Sequence, residues 1–249
     1  MNAMAQNQRG ANRGSGPLVS LVIVTKRPAF LPLIMEMMRR QDYAAFEIVT
    51  CLHGIRATAL DRPAAEALQL SHHVLEMPET LSLGYCLNAA IAQAQGEFIA
   101  KIDDDDIYGS AYLSEAVQNL LEGKGAVVGK AEHYVYLQKT GQFVLRRAGE
   151  SNQLRKFVHG ATLVFPRSLA VSLPFQNLRC GEDTAFLQSC LEIGLRVYSG
   201  SRRNYIYMRR GDEASHTWMA PDAFFFAQGI PLRTRPGLQS HELLKLIET

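Results

Sequence analysis

The sequence predicts an α/β domain: a mostly parallel, twisted central sheet flanked by helices, with a smaller antiparallel subregion in its second half. Two observations carry this. Through residues 18–102, short β-branched runs alternate with segments whose apolar residues recur at helical spacing, the pattern of parallel strands joined by crossover helices. Beyond residue 126, strand-like runs follow one another closely, and two are joined by a Lys-Thr-Gly turn at 139–141, which favours antiparallel pairing. The chain has 249 residues, 47% of them hydrophobic, enough for one domain with a full core.

In order, residues 1–16 are rich in Asn, Gln, Gly and Arg and read as a disordered leader or cloning remnant. Residues 18–24 form an apolar strand buried on both faces, and a Thr-Lys-Arg-Pro turn follows. Leu33, Ile34, Met37 and Met38 define a helix ending near Arg40. A second strand spans 46–51 and stops at His53-Gly54. A helix over 63–70 has Pro near its first turn, and a short strand covers 74–77. A helix over 86–94 runs to Gly96, and the strand 98–102 delivers four consecutive aspartates, Asp103 to Asp106. Strands are then expected at 126–128, 131–138, 143–147 and 162–165. A helix follows at 183–193, closed by Gly194, and 197–198 with 204–208 are expected to complete the sheet. The domain is expected to span 17–249: a ligand-binding half at 17–108, a second half at 109–220 and a helical tail at 221–249.

Composition excludes several classes. Lysine plus arginine exceeds aspartate plus glutamate by two, 26 against 24, so no nucleic-acid partner is implied. The longest apolar run, 18–24, is interrupted by Ser20 and far shorter than the about 20 residues of a membrane span. No basic start leads into an apolar stretch, and the cysteines lack paired zinc spacing. A soluble cytoplasmic protein with reduced thiols is expected.

The aspartate run carries the chemistry. Extended backbone would put Asp103 and Asp105 on one face and Asp104 and Asp106 on the other. Adjacent like charges repel by roughly 1 kcal/mol per pair at about 4 Å in water. A hard divalent cation relieves that repulsion, and Mg²⁺ or Mn²⁺ commonly binds one or two carboxylates plus substrate phosphates. Open α/β sheets also bind ligands beyond the carboxyl ends of their strands. The competing reading is a solvated acidic turn capping a helix near Ser110.

Several segments in order resemble a family 2 glycosyltransferase of the GT-A fold. They are 17–28 (PLVSLVIVTKRP), Leu83-Gly84 and Leu87-Asn88 leading through Gly96-Glu97-Phe98 into the aspartates, Gly181-Glu182-Asp183, and His216-Thr217-Trp218. The resemblance implies that Asp103 contacts the nucleotide, that Asp105 binds Mn²⁺ or Mg²⁺ bridging the two phosphates, and that Asp104 and Asp106 support them. It also implies that His216 lies near the metal and that Asp183 is the catalytic base, with Glu182 beside it. The second strand departs from the family: Cys51 to His53 stand where an acidic turn usually reads the base. UDP is then the first choice of nucleotide and dTDP the second.

Asp183 could instead cap the helix that begins after it. Thr25 and Arg27 lie in the turn after the first strand, where they could meet the nucleotide. Arg202, Arg203, Arg209, Arg210 and His216 flank a polar stretch that could close over a diphosphate and exclude water. His159 is more often a structural histidine than a site residue. Phe224 to Phe226 read as core, although an exposed aromatic patch would suit a homodimer or a membrane-surface acceptor. The acceptor implied is a glycan or a lipid-linked one, which leaves room for work at the inner face of the membrane. The alternatives are a sugar-nucleotide-forming nucleotidyltransferase, which needs a glycine-rich loop where Thr-Lys-Arg-Pro stands, and a degenerate glycosyltransferase-like binding module.

Overall fold

The computed structural model describes residues 16–210 and 221–248. The first half runs β1 (Val19–Thr25), α1 (Leu31–Arg39), β2 (Phe46–His53), α2 (Arg62–Leu68), β3 (His73–Met77), α3 (Leu83–Gln93), β4 (Phe98–Ile102) and β5 (Ile107–Tyr108). Then come α4 (Tyr112–Leu121), β6 (Val127–Gly129), β7 (His133–Leu137), β8 (Gln142–Arg146), β9 (Gln153–Leu154), β10 (Val164–Pro166), α5 (Arg167–Ser172) and α6 (Glu182–Glu192). The chain continues with β11 (Val197–Ser199), β12 (Tyr205–Arg209), α7 (Asp222–Ala227), β13 (Gly229–Thr234) and α8 (Ser240–Ile247).

The main sheet has the order β3-β2-β1-β4-β10-β6-β11-β9, with β3, β2, β1 and β4 mutually parallel. β1 lies between β2 and β4, and its two-residue period divides the core. Val19, Leu21 and Ile23 face one layer with α1 and α2, while Val22 faces a second layer with α3, α5 and α6. On that second face Ser20 is also buried. It donates to Glu47 at 2.6 Å and accepts from the Gly96 N–H at 2.8 Å. A Cβ at Gly96 would strike Ser20 and the Leu18 carbonyl, so the loop into β4 needs glycine to lie this close.

A second sheet has the order β13-β8-β7-β12-β5. β7 and β8 pair antiparallel as the turn chemistry predicts, with His133 opposite Arg146. Two expectations need correction. Residues 197–198 and 204–208 do not complete one sheet: β11 joins the main sheet beside β6, and β12 joins the second beside β7. The tail 221–249 is not wholly helical, because β13 adds to the edge of β8. Among the described residues, no helix is long and apolar enough to cross a membrane.

Candidate active site

β4 ends at Ile102, so the four aspartates occupy the turn between β4 and β5 rather than an extension of the strand. Strand alternation therefore stops before it can sort them: Asp103 and Asp105 do line one cavity together, but Asp104 and Asp106 go to different partners. Asp104 and Asp105 share Arg27. Arg27 bonds Asp104 and reaches Asp105 Oδ2 at 2.7 Å, and the Thr25 hydroxyl also donates to Asp104. The Arg27 backbone N–H in turn donates to Thr25 Oγ1 at 2.9 Å, which ties the end of β1 to the acidic turn. Burial pushes the Asp104 carboxyl up to about 6, against the pull of Arg27. Arg210 donates to the Asp105 carbonyl at 2.7 Å and stacks 4.1 Å from the Phe30 ring centroid.

Asp106 does not cap the following helix. Its carboxylate is buried, accepting from the Tyr205 hydroxyl at 2.5 Å and the Met208 N–H at 2.9 Å, both on β12. Asp103 is the one aspartate with a substantially open side chain, and Lys101 Nζ bonds it at 2.6 Å. Burial in the cleft wall opposes its charge, yet Lys101 outweighs that and holds the carboxyl below its ordinary value. A lysine within the otherwise apolar run of β4 was the signal for this partner, and the motif reading passed over it.

Opposite the acidic turn stands the first turn of α6. Gly181 precedes it at φ +84°, a left-handed conformation natural to glycine. Glu182 and Asp183 both lie inside the helix, where acidic side chains suit the positive end of its dipole. Asp183 is thus not the cap, although its Oδ1 accepts the Thr184 N–H at 2.6 Å. Its Oδ2 lies against Gly160, where a Cβ would collide with it. Glu182 is buried, and burial pushes its carboxyl up to about 7 despite Lys101 nearby. Next to Gly160, His159 Nδ1 lies 3.0 Å from Tyr205 Oη, and its ring centroid is 4.6 Å from that of His133. Burial pushes His159 down to about 4, although Asp103 and Asp183 pull the other way.

The Leu-Gly and Leu-Asn positions of α3 aim this turn. A Cβ at Gly84 would strike the Gln176 carbonyl, and the Gly84 N–H donates to Leu178 O at 3.1 Å. Asn88 donates to Phe175 O at 2.8 Å and accepts the Phe175 N–H at 3.0 Å. The segment 175–178 is thereby clamped to α3 just before it delivers Glu182 and Asp183.

Two cavities meet at the acidic turn. The first, about 370 Å³, is lined by Lys26, Arg27, His53, Asp103, Asp104 and Arg179 among others. The second, about 430 Å³, includes Asp103, Asp105, Arg146, His159, Glu182 and Asp183 in its wall. Arg27, Leu83, Lys101 and Asp103 line both. The structure therefore brings together Thr25, Arg27, Asp103, Asp104, Asp105, Glu182, Asp183 and Arg210. His216 lies outside the described residues. Arg202 does not join the site: it pairs with Glu132 at 3.0 Å, and with Arg203 it lines a separate cavity. Phe225 is core as expected, but Phe224 and Phe225 also wall the second cavity. Besides Lys101, sequence reasoning missed His133, Tyr205 and Arg146, which meet here only because β7, β8 and β12 fold behind the turn.

Among the described residues, no group of three or more His, Cys, Asp or Glu is arranged to hold a metal ion. Asp103 and Asp105 nevertheless line the cleft, and one or two carboxylates suffice for Mg²⁺ or Mn²⁺ when substrate phosphates complete the shell. The donor set fits a cation shared with a ligand rather than a closed protein cage.

A parallel sheet that ends in an acidic turn, faced across a cleft by an acidic helix start, is the architecture of a GT-A glycosyltransferase. The chain belongs to glycosyl transferase family 2, whose model matches residues 20–169. Among solved structures it is similar to the mannosyltransferase PcManGT from Pyrobaculum calidifontis in complex with GDP-Man and Mn²⁺. The identity is 16% and the TM-score 0.59, over 86% of this chain and 60% of that one. It is also similar to S. aureus TarS, at 16% identity and a TM-score of 0.58, over 76% of this chain and 36% of that one. A 1–349 segment of TarS in complex with UDP aligns with a TM-score of 0.56 at 16% identity, over 77% of this chain and 60% of that one. The chain thus spans less than two thirds of these neighbours. No curated protein matches the sequence.

Proposed function

We propose that this chain transfers a sugar from a nucleoside-diphosphate donor to a hydroxyl of a glycan or lipid-linked acceptor, with inversion at the anomeric carbon. The observation that supports it most is the division of one cleft by the acidic turn. Lys26 and Arg179 line the first cavity, Asp183 lines the second, and Arg27 and Asp103 line both. The first is the donor side, where cations meet a diphosphate, and the second receives the acceptor. UDP is the first choice of nucleotide and dTDP the second. The TarS segment solved with UDP supports that order, although PcManGT was solved with GDP-Man. A lipid-linked acceptor would put the reaction at the cytoplasmic face of a membrane. The nucleotidyltransferase alternative is disfavoured, since the turn at 25–28 contains no glycine.

In the chemical step Asp183 takes the proton of the acceptor hydroxyl as that oxygen attacks the anomeric carbon. The bond from that carbon to the diphosphate oxygen breaks, and its electron pair leaves with the diphosphate. Arg27 and Arg210, both anchored on the acidic turn, offset the charge that develops there. Asp105, with Asp103 and His216, would hold Mn²⁺ or Mg²⁺, which when bound supplies further charge stabilisation to the leaving group. Lys101 fixes Asp103 between the two cavities.

UDP with Mn²⁺ should raise the melting temperature of the wild type, and Asp105→Ala should abolish that rise. Asp183→Asn should keep the rise while transfer falls by roughly 10²- to 10⁴-fold. No shift with UDP, dTDP or GDP and either metal would overturn the donor assignment. Undiminished transfer by Asp183→Asn would remove Asp183 as the base.

A further inference from the structure

Arg146 ends β8 opposite His133 and lines the second cavity. It is 8% exposed. Its guanidinium carbon lies 4.8 Å from the Phe224 ring centroid and 5.7 Å from that of Phe225. Nη2 donates to Gln228 Oε1 at 3.3 Å, while Nη1 is buried without a hydrogen-bond partner. No carboxylate of the described residues stands within ion-pair distance of it. Aromatic faces attract a cation, but they do not satisfy a buried N–H or neutralise a buried charge, and both omissions are costly. Arg147, the next residue, lines the same cavity; it stacks on Phe157 at 4.9 Å and pairs with Glu150 at 3.3 Å.

The wall of the second cavity is mixed: Asp103, Asp105, Glu182 and Asp183 stand with Arg27 and Lys101, which bond two of those carboxylates, whereas Arg146 lines it with no carboxylate of the described residues paired to it. Burial disfavours the charged, cationic form of His133 and His159, so the two histidines add no further positive charge beside Arg146 and offer it no counter-charge. Arg146 is also absent from the wall of the first cavity, where Lys26 and Arg179 stand and which Arg27 and Lys101 share with the second, so the donor diphosphate has other cations to meet.

We propose that Arg146 is an anion subsite of the acceptor cavity, so that the acceptor bears a phosphate, sulfate or carboxylate near the hydroxyl that is glycosylated. This rests on the transfer reading given above. A guanidinium packed beside two aromatic rings, with one nitrogen lacking a hydrogen-bond partner among the described residues, suits a planar or tetrahedral oxyanion. With the anion at Arg146 and a hydroxyl at Asp183, the acceptor is bound at two points, which orients the nucleophile.

The test uses the full chain and four probes: inorganic sulfate, glucose, glucuronate and glucose 6-phosphate. Sulfate and at least one charged sugar should raise the melting temperature by a few degrees, and glucose should not. Arg146→Gln should abolish those shifts while leaving the shift from UDP with Mn²⁺ intact, and Arg146→Lys should retain part of them. In the transfer assay, a charged acceptor should lose at least roughly tenfold in Kd on Arg146→Gln. Equal shifts in wild type and Arg146→Gln, or binding of glucose as strong as of glucuronate, would overturn the subsite. Stabilisation by UDP-glucuronate over UDP-glucose that disappears in Arg146→Gln would move the anion to the donor sugar and overturn the acceptor assignment. Should Arg146→Gln not fold, the wild-type comparison of charged and neutral sugars decides, together with Arg146→Lys. Loss of the UDP–Mn²⁺ shift breaks the transfer reading, whereas loss of the sulfate and sugar shifts alone breaks only this one.

Discussion

Asp183 owes its position to a residue without a side chain. Its Oδ2 rests against Gly160, so Gly160→Ala must displace the carboxylate or the backbone beneath it. Transfer should fall by roughly tenfold or more, because small misplacements of reacting groups are costly, while the UDP–Mn²⁺ melting shift stays as in wild type. Equal transfer rates would show that the contact has no bearing on the base. Glu182 carries a pH signature of its own. It is buried, and its carboxyl rises to about 7 from an ordinary 4.5. A raised folded-state value contributes stability that is complete below the unfolded value and is lost as pH rises through the folded one. Glu182 therefore lowers stability as pH climbs from about 4.5 to about 7. Glu182→Gln should lessen the fall in melting temperature across that window, leaving the slope of the same sign from Asp104, whose carboxyl rises to about 6. Identical profiles for wild type and variant would remove Glu182 as a source of that slope.

At the scale of elements, α3 is a positioning device as much as a crossover helix. Ser82 caps it by accepting the Tyr85 N–H at 3.1 Å. The pair Gly84 and Asn88 lies on the side that meets 175–178, one admitting close approach and the other replacing two backbone hydrogen bonds. Asn88→Ala leaves the Phe175 N–H and C=O without those partners, which should cost about 1–3 kcal/mol in urea unfolding. Transfer should fall further than this stability loss explains, because the same segment leads into α6. A variant with normal stability and normal transfer would show that the clamp is redundant.

At the scale of the molecule, the acidic turn joins the two sheets. Asp106 leaves the end of β4 and holds both Tyr205 and Met208 of β12, so the main sheet and the second sheet meet at the same turn that forms the site. Asp106→Ala would leave the buried Met208 N–H without its carboxylate partner and the Tyr205 hydroxyl with His159 alone, and should destabilise the fold by about 1–3 kcal/mol. Single-step unfolding with an unchanged m-value would show that the sheets still melt as one unit. An unaltered midpoint would sever the proposed link.

The parallel half is legible in the residues alone, because β-branched runs and helical spacing are local patterns, and the strand-end position of the aspartates follows from them. The order of its motifs also determined the family. What it left undecided depended on which segments meet. Strand alternation could not say how Asp103 to Asp106 divide, because they lie in a turn, and their directions are set by Arg27, Lys101 and Tyr205 from three other elements. The split of β11 and β12 between two sheets was equally hidden, since both are short apolar runs with the same local preference. Arg146 looked like any arginine at a strand end. Only the packing of α7 against β8 set it beside two phenylalanines and turned an ordinary surface residue type into a buried charge, because burial, and here the lack of a paired carboxylate among the described residues, are properties of the surroundings rather than of the residue.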